Sequence, residues 1–445
     1  MKSSLTGSLS LTLLLSGALT PAAASGFRIE GQDARAFGTA LAGSPARPGD
    51  AGFAVYNPAT LAGIGQFDFT GTSTGLIVDS SYKDASGVLL GAYPTPGESS
   101  GEGPLADAYF PSVGLGVRIN ERLVVGMSLN APFGLKSEYG PDSVLRYHAQ
   151  TSELKTIAAT PMAAYSVTPS LAVAVGVRIQ YADLSITAAS DAAGIALASS
   201  LGVYAPGTDD VYIDFNADHV AIGFVAGVQV HPLPGLTLGA SYISKIEHDF
   251  DGDAVFDLAG STAGAALAGL GLFRSGPASA SLSTPSLIEF GAVYSVSARL
   301  DLLASASLSR WSSFEAIAIS FENPLQPDDV LTQNWNDSWA FSVGAEYRAT
   351  AKTTLRAGVM HDNSPVNDAF ASPRIADADR VWVAAGFSRD LSERWSADVG
   401  AAMLFFDDRK YDLPGSLPET LFRGSAEATG AATAFILSAR LRRSF

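Results

Sequence analysis

The sequence predicts an all-β protein: a transmembrane antiparallel β-barrel of about fourteen strands, with an N-terminal hatch filling its lumen. Three observations predict it. An export signal is followed by no long apolar run, period-2 hydrophobic alternation recurs down the chain, and connections alternate strictly between short and long.

Residues 1–24 carry Lys2, an apolar core around Leu9 to Leu19 and the small run Ala22-Ala23-Ala24. That pattern reads as a secretory signal peptide, because its apolar core is too short to span a bilayer. Beyond it no stretch of about 18–20 apolar residues occurs, which excludes helical spans. Yet charged residues make up only 16% of the chain and the mean hydropathy is +0.20. Strands that alternate lipid-facing and lumen-facing residues can carry such apolarity. The absence of cysteine excludes a disulfide framework, and the formal charge of −16 argues against nucleic acid as a partner.

Residues 25–64 are rich in Gly, Ala and Pro and keep neither helical nor strand periodicity. They read as the hatch, a plug around which residues 65–445 form the barrel. Within the barrel, Val113, Leu115, Val117 and Ile119 alternate with Gly and polar residues. Leu123, Val125, Met127 and Leu129 follow across the Asn120-Glu121-Arg122 turn. Short turns are expected near 120–122, 168–169, 231–236, 297–299, 349–352 and 389–394. Long connections are expected near 82–104, 138–150, 191–210, 251–278, 321–335, 362–376 and 407–424. Together they join fourteen strands, with the short turns periplasmic and the long loops external. The last strand closes on Phe445, as expected of a barrel whose final strand pairs with its first.

In the third strand Ala131-Pro132-Phe133-Gly134 interrupts the pattern. Pro lacks a ladder donor and Gly weakens a strand, so a kink or gap in the wall is predicted there. The competing reading leaves Pro132 merely near the strand's outer end. Two external loops are unusually apolar. Residues 192–204 include Leu197 and Leu201, and residues 258–273 include Leu270 and Phe273. Exposed apolar surface of that kind marks a capture site, unless the loops simply pack on each other.

Several runs resemble the outer-membrane long-chain fatty acid transporter (FadL) family, which includes aromatic-hydrocarbon uptake channels. They are Phe37-Gly38-Thr39-Ala40 through Asp50-Ala51-Gly52 to Asn57-Pro58-Ala59, then Ser309-Arg310-Trp311-Ser312-Ser313-Phe314. The C-terminal run is Asp362-Asn363-Ser364-Pro365-Val366, with Ile375-Ala376-Asp377-Ala378-Asp379-Arg380-Val381-Trp382 after it. The resemblance implies a fourteen-stranded barrel with a lumenal hatch whose Asn57, Pro58 and Ala59 lie near the third strand. It implies that Ala131, Pro132, Phe133 and Gly134 form a lateral opening. Hydrophobic ligands would be caught at the external loops, held in an apolar pocket and released sideways. Members that carry fatty acids place basic side chains in that pocket. Here Ala188 and Leu331 stand at the corresponding positions, leaving Arg310, Arg356 or Arg374 as substitutes and a neutral hydrocarbon as an alternative ligand.

Enzyme chemistry finds no footing. The five His (148, 219, 231, 248 and 361) show no metal-ligand spacing, and Asp377 and Asp379 read as a polar rim rather than an acid–base pair. No cofactor or metal is expected. The expected partners are a hydrophobic small molecule and the outer-membrane lipid around a monomer, and the competing function is a general diffusion porin for small polar solutes.

Overall fold

Fourteen strands pair in sequence order and the last pairs with the first, closing an antiparallel ring. The structure, a computed structural model, describes residues 26–258, 260–415 and 422–445, so the expected export signal lies outside the described residues. The strands are β1 Phe67–Leu89, β2 Ala108–Arg118, β3 Leu123–Asn130 continuing as Gly134–Glu138, β4 Thr151–Thr168 and β5 Leu171–Asp191. Next come β6 Asp210–Leu233, β7 Leu236–Ile243 with Ile246–Asp257, β8 Gly276–Thr284 with Ser286–Ser295, and β9 Leu300–Arg310 with Ala316–Phe321. The ring ends with β10 Asp329–Thr332 and Ser338–Thr350, β11 Thr353–Asp362, β12 Arg380–Asp390, β13 Trp395–Phe406 with Arg409–Leu413, and β14 Ser425–Ser444. No described helix is long and apolar enough to cross a membrane.

Alternation places the side chains. On β5, Val173, Val175, Val177, Ile179 and Tyr181 are exposed on the outer face, while Ala174, Arg178, Gln180 and Ala182 are buried within. That is the pattern of a wall with lipid outside and a filled interior. The closing seam runs from Asp68↔Ser444 to Val88↔Ser425. At its lower end Phe67 and Phe445 exchange backbone hydrogen bonds of 2.9 and 3.0 Å, and their rings stack 5.1 Å apart.

The fourteen expected strands are all present, but several run further than expected. β1 continues to Leu89, β7 to Asp257, and β8 starts at Gly276. Above the apolar band the outer face meets water, so Asp251 and Asp253 replace lipid-facing apolar residues while the ladder continues. Polar alternation there looks like loop to a reading based on hydrophobicity.

Residues 26–64 fold as short helical turns rather than strands, including α1 Ala34–Phe37. Asp33, Asp50 and Asn57 each cap a turn by accepting the backbone N–H two residues on. The partners of this segment lie all round the ring. Arg440 on β14 pairs with Asp33 at 2.9 Å and Asp50 at 2.5 Å, and Arg35 and Arg47 pair with Glu346 on β10 at 3.0 and 2.6 Å. Ser241 on β7 donates to the Tyr56 carbonyl at 2.6 Å, and Gly43 N–H donates to Ser305 on β9 at 2.8 Å. Wall glycines leave the space. A β-carbon at Gly239 would lie 1.9 Å from the Pro45 carbonyl oxygen, and one at Gly400 would lie 2.0 Å from that of Ala34.

Candidate functional site

Between β2 and β3 the ladder runs only from Arg118↔Val124 to Val113↔Leu129. Beyond it, residues 108–112 of β2 pair with β1 alone, while the second piece of β3 pairs with β4. Residues 131–133, where Pro132 has no N–H to offer, belong to neither piece of β3. Pairing is regained above, where Ala106 N–H reaches the Lys136 carbonyl at 3.2 Å and Glu138 N–H reaches that of Pro104 at 2.8 Å. A bounded window in the wall results.

The N-terminal segment supplies the window's missing bonds. Gly134 N–H donates to the Phe27 carbonyl at 2.8 Å, and Ile29 N–H donates to that of Pro132 at 2.9 Å. Gln32 Nε2 donates to the Ala131 carbonyl at 2.7 Å, and the Gln32 carbonyl accepts from Ser112 on the opposite edge. Thr156 on β4 does the rest, accepting from Phe133 N–H at 2.9 Å and donating to the Phe133 carbonyl at 2.7 Å.

Phe27 is buried in a box of rings. Trp311 stands 4.5 Å from it, Phe314 5.3 Å, Trp335 5.8 Å and Phe133 6.0 Å, mostly edge to face. These rings reach inward because β9 and β10 leave the wall at the same height, over residues 311–315 and 333–337. Next to Phe27, Gly26 N–H donates to Asp377 Oδ2 at 3.0 Å. Asp377 also accepts from Ser364 Oγ at 2.7 Å and Arg380 Nη1 at 3.1 Å, while Arg380 Nε binds Asp362 at 2.8 Å. Asp379 accepts from Ser364 N–H at 2.7 Å, and the Pro365 carbonyl accepts from Asn336 N–H at 2.8 Å. The C-terminal run thus folds into one buried network that holds the start of the N-terminal segment. Asp377, expected on a polar rim, is buried instead. Burial pushes its carboxyl up to about 6 against the opposing pull of Arg380.

Asn57 spans segment and wall, its Nδ2 donating to the Pro45 carbonyl at 2.7 Å and to Val228 on β6 at 3.0 Å. Pro58 and Ala59 are buried beside it. The bonds into the window therefore come from residues 27–32, and the Asn57 side chain anchors the segment to β6. Nothing in composition or spacing marks Phe27, Ile29 or Gln32. The inward glycines were the readable signal that a segment crosses close to the wall.

An apolar interior surrounds the ring box, extending over Leu154, Ile186, Ala188, Phe215, Phe250 and Ile375. Above it stand two short helices, α2 Ala192–Ala198 and α3 Thr262–Gly269, packed together around Phe273 and Leu267. Phe273 is buried between them and Leu197 is half-buried, whereas Leu201 and Leu270 are 39% and 59% exposed.

Of the three candidate cations, Arg310 is exposed beside Asp337, and Arg356 is held by Glu346 at 2.5 Å. Arg374 differs. It is buried, donates to Ser152 Oγ at 2.9 Å and approaches the Thr187 carbonyl at 3.4 Å, and pairs with no described carboxylate. Burial pulls its guanidinium down to about 10. It thus stands next to Ala188, in the apolar interior. His219 and His248 are brought together, ring centroids 5.6 Å apart, but no group of metal-ligating residues occurs among the described residues.

Residues 15–445 match the family described as outer membrane protein transport protein (OMPP1/FadL/TodX). A putative outer membrane protein of Neisseria meningitidis is 26% identical over 90% of this chain and 91% of its own. A long-chain fatty acid transport protein of Escherichia coli O6:H1 is 25% identical over 86% and 88%. Among solved structures, a Pseudomonas aeruginosa FadL homologue superposes with a TM-score of 0.87 at 24% identity, over 94% of this chain and 100% of that one. A Pseudomonas putida toluene transporter gives 0.69 at 15% identity, over 95% and 100%. The chain belongs to this family of outer-membrane transport proteins, which are channels and not enzymes.

Proposed function

We propose that this protein carries hydrophobic compounds passively across the outer membrane, and that cargo leaves sideways through the window between β2 and β3. Residues 25–64 act as the hatch. The observation that carries the reading is that the edge bonds of Ala131, Pro132 and Gly134 are made by Gln32, Ile29 and Phe27 of the N-terminal segment, leaving only those of Phe133 to Thr156 in the wall. An apolar solute loses about 0.8 kcal/mol per CH₂ on return to water. A dry interior joined to a wall window keeps it out of water throughout. Capture falls to Leu201 and Leu270, whose side chains face outward from the loop helices, with Leu197 and Phe273 shaping the site from below.

Arg374 favours a carboxylate-bearing cargo, a long-chain fatty acid, over a neutral hydrocarbon, because a buried guanidinium without a carboxylate is a ready partner for one. The porin reading predicts steady ion conductance in planar bilayers. The hatch reading predicts near silence from the wild type together with uptake of labelled oleate by cells. Conductance without oleate uptake would overturn the proposal.

A further inference from the structure

A second interruption lies between β6 and β7. The ladder reaches Val225↔Ile243, stops, and resumes only at Asp218↔Asp251, so residues 219–224 face residues 244–250 without ladder pairs. At the lower end Ser244 N–H still donates to the Phe224 carbonyl at 2.9 Å, and a side chain closes each end. Ser244 Oγ accepts from Phe224 N–H at 2.9 Å, and His219 Nδ1 accepts from Asp249 N–H at 3.2 Å. Unpaired backbone facing hydrocarbon costs several kcal/mol per group, so a wall seldom leaves strands unzipped there without a use.

The seam straddles the outer boundary of the apolar band. On β6 the lipid-facing residues Val220, Ile222 and Phe224 are strongly exposed, Ile222 at 70%, and Asp218 follows above them. On β7 the opposite edge carries Lys245 paired with Glu247. Inside the barrel Ile246 and His248 are buried along this edge, His248 bonded to Gln180 at 2.9 Å and stacked 5.7 Å from Phe250 of the apolar interior. Gly223 makes the room for Ile246, since a β-carbon there would lie 2.7 Å from its Cγ1. The α2 and α3 helices follow β5 and β7 in the chain.

We propose that the β6–β7 seam is a side entrance, through which the alkyl tail of a single-chain amphiphile held at the outer membrane boundary slips into the apolar interior. The head group stays near Lys245 while Ile246 swings aside. This rests on the uptake reading above, but it concerns entry, whereas the β2–β3 window concerns exit.

The chain has no cysteine, so a Gly223→Cys/Ile246→Cys pair in the full-length protein staples the seam without side reactions. Oleate uptake should fall at least tenfold on oxidation and return on reduction, with the disulfide confirmed by mass and the fold by heat-modifiable gel migration. Ile246→Trp, which wedges the seam from inside, should give the same loss if the cysteine pair folds poorly. Unchanged uptake in the verified disulfide form, or in a folded Ile246→Trp variant, overturns the entrance. If Gly134→Arg still blocks uptake in that case, the exit reading stands. If Gly134→Arg also leaves uptake intact, both readings fall.

Discussion

Gly134 donates its backbone N–H to the carbonyl oxygen of Phe27 over 2.8 Å, so a rung missing from the barrel wall is supplied by the N-terminal segment. The same Phe27 is boxed by Trp311, Phe314, Trp335 and Phe133. One residue therefore closes the window with its backbone and occupies the apolar interior with its ring. On the proposed function, cargo entering that box would compete with Phe27 for the same rings.

Phe27→Ala should loosen the hatch. Truncating a buried Phe costs about 3–5 kcal/mol of local packing, and here the loss falls on the contact that seats residues 26–32. Planar bilayers should show frequent current steps where the wild type is near silent, with the barrel still heat-modifiable. A silent variant would place the closing contact elsewhere.

Arg374→Met keeps an unbranched, flexible stem and removes the charged guanidinium. A hydrogen bond to a charged group contributes about 1.5–3 kcal/mol, so oleate affinity should drop by roughly ten- to a hundredfold. Uptake of toluene should change less than twofold. Equal losses for both ligands would assign Arg374 to packing alone.

The two exposed leucines offer a test of capture. Leu201→Asp with Leu270→Asp should raise the oleate concentration for half-maximal uptake several-fold and leave thermal stability nearly unchanged, because both side chains already face water. Phe273→Asp should instead lower the stability of the loop pair, since it would bury a charge between α2 and α3. Binding of a labelled fatty acid to the purified variants distinguishes these outcomes.

Asp377 should impose a pH dependence of definite sign. Its folded value of about 6 lies above the roughly 3.9 of an unfolded aspartate, so the folded state holds a proton that the unfolded chain releases. Its contribution to stability is therefore full below about pH 4 and declines as pH rises to about 6. Against Asp377→Asn, which cannot ionise, the wild type should lose up to about 1.4 kcal/mol per pH unit across that window. Urea unfolding in lipid vesicles at stepped pH reads the difference, and a flat difference would contradict the assignment.

Much of the fold was readable because barrel strands obey a period of two and barrel connections alternate in length. Leu123, Val125, Met127 and Leu129 announce a strand by alternation, and Pro132 announces its interruption by lacking a donor. The strand ends were harder. Above the lipid band the ladder from Asp251 to Asp257 carries no outward apolar row, so hydrophobicity stops before the hydrogen bonds do. The C-terminal motif was visible as a motif, but its burial was not, because Asp377 and Arg380 neutralise one another only once folded together. The seam between β6 and β7 left one trace, a phase slip in β7, whose inward positions pass from Gly239, Ser241 and Ile243 to Ile246, His248 and Phe250. Only the missing pairs with β6 turn that slip into a seam.

The central claim is that cargo leaves through the wall at residues 131–134, past a hatch that moves. Its most direct test is oleate uptake by cells carrying Gly134→Arg, which sets a bulky charge in the window while leaving the remaining ladders untouched. Uptake should fall at least tenfold while the barrel keeps its heat-modifiable migration and surface abundance. A correctly folded Gly134→Arg barrel that takes up oleate at the wild-type rate would contradict the account.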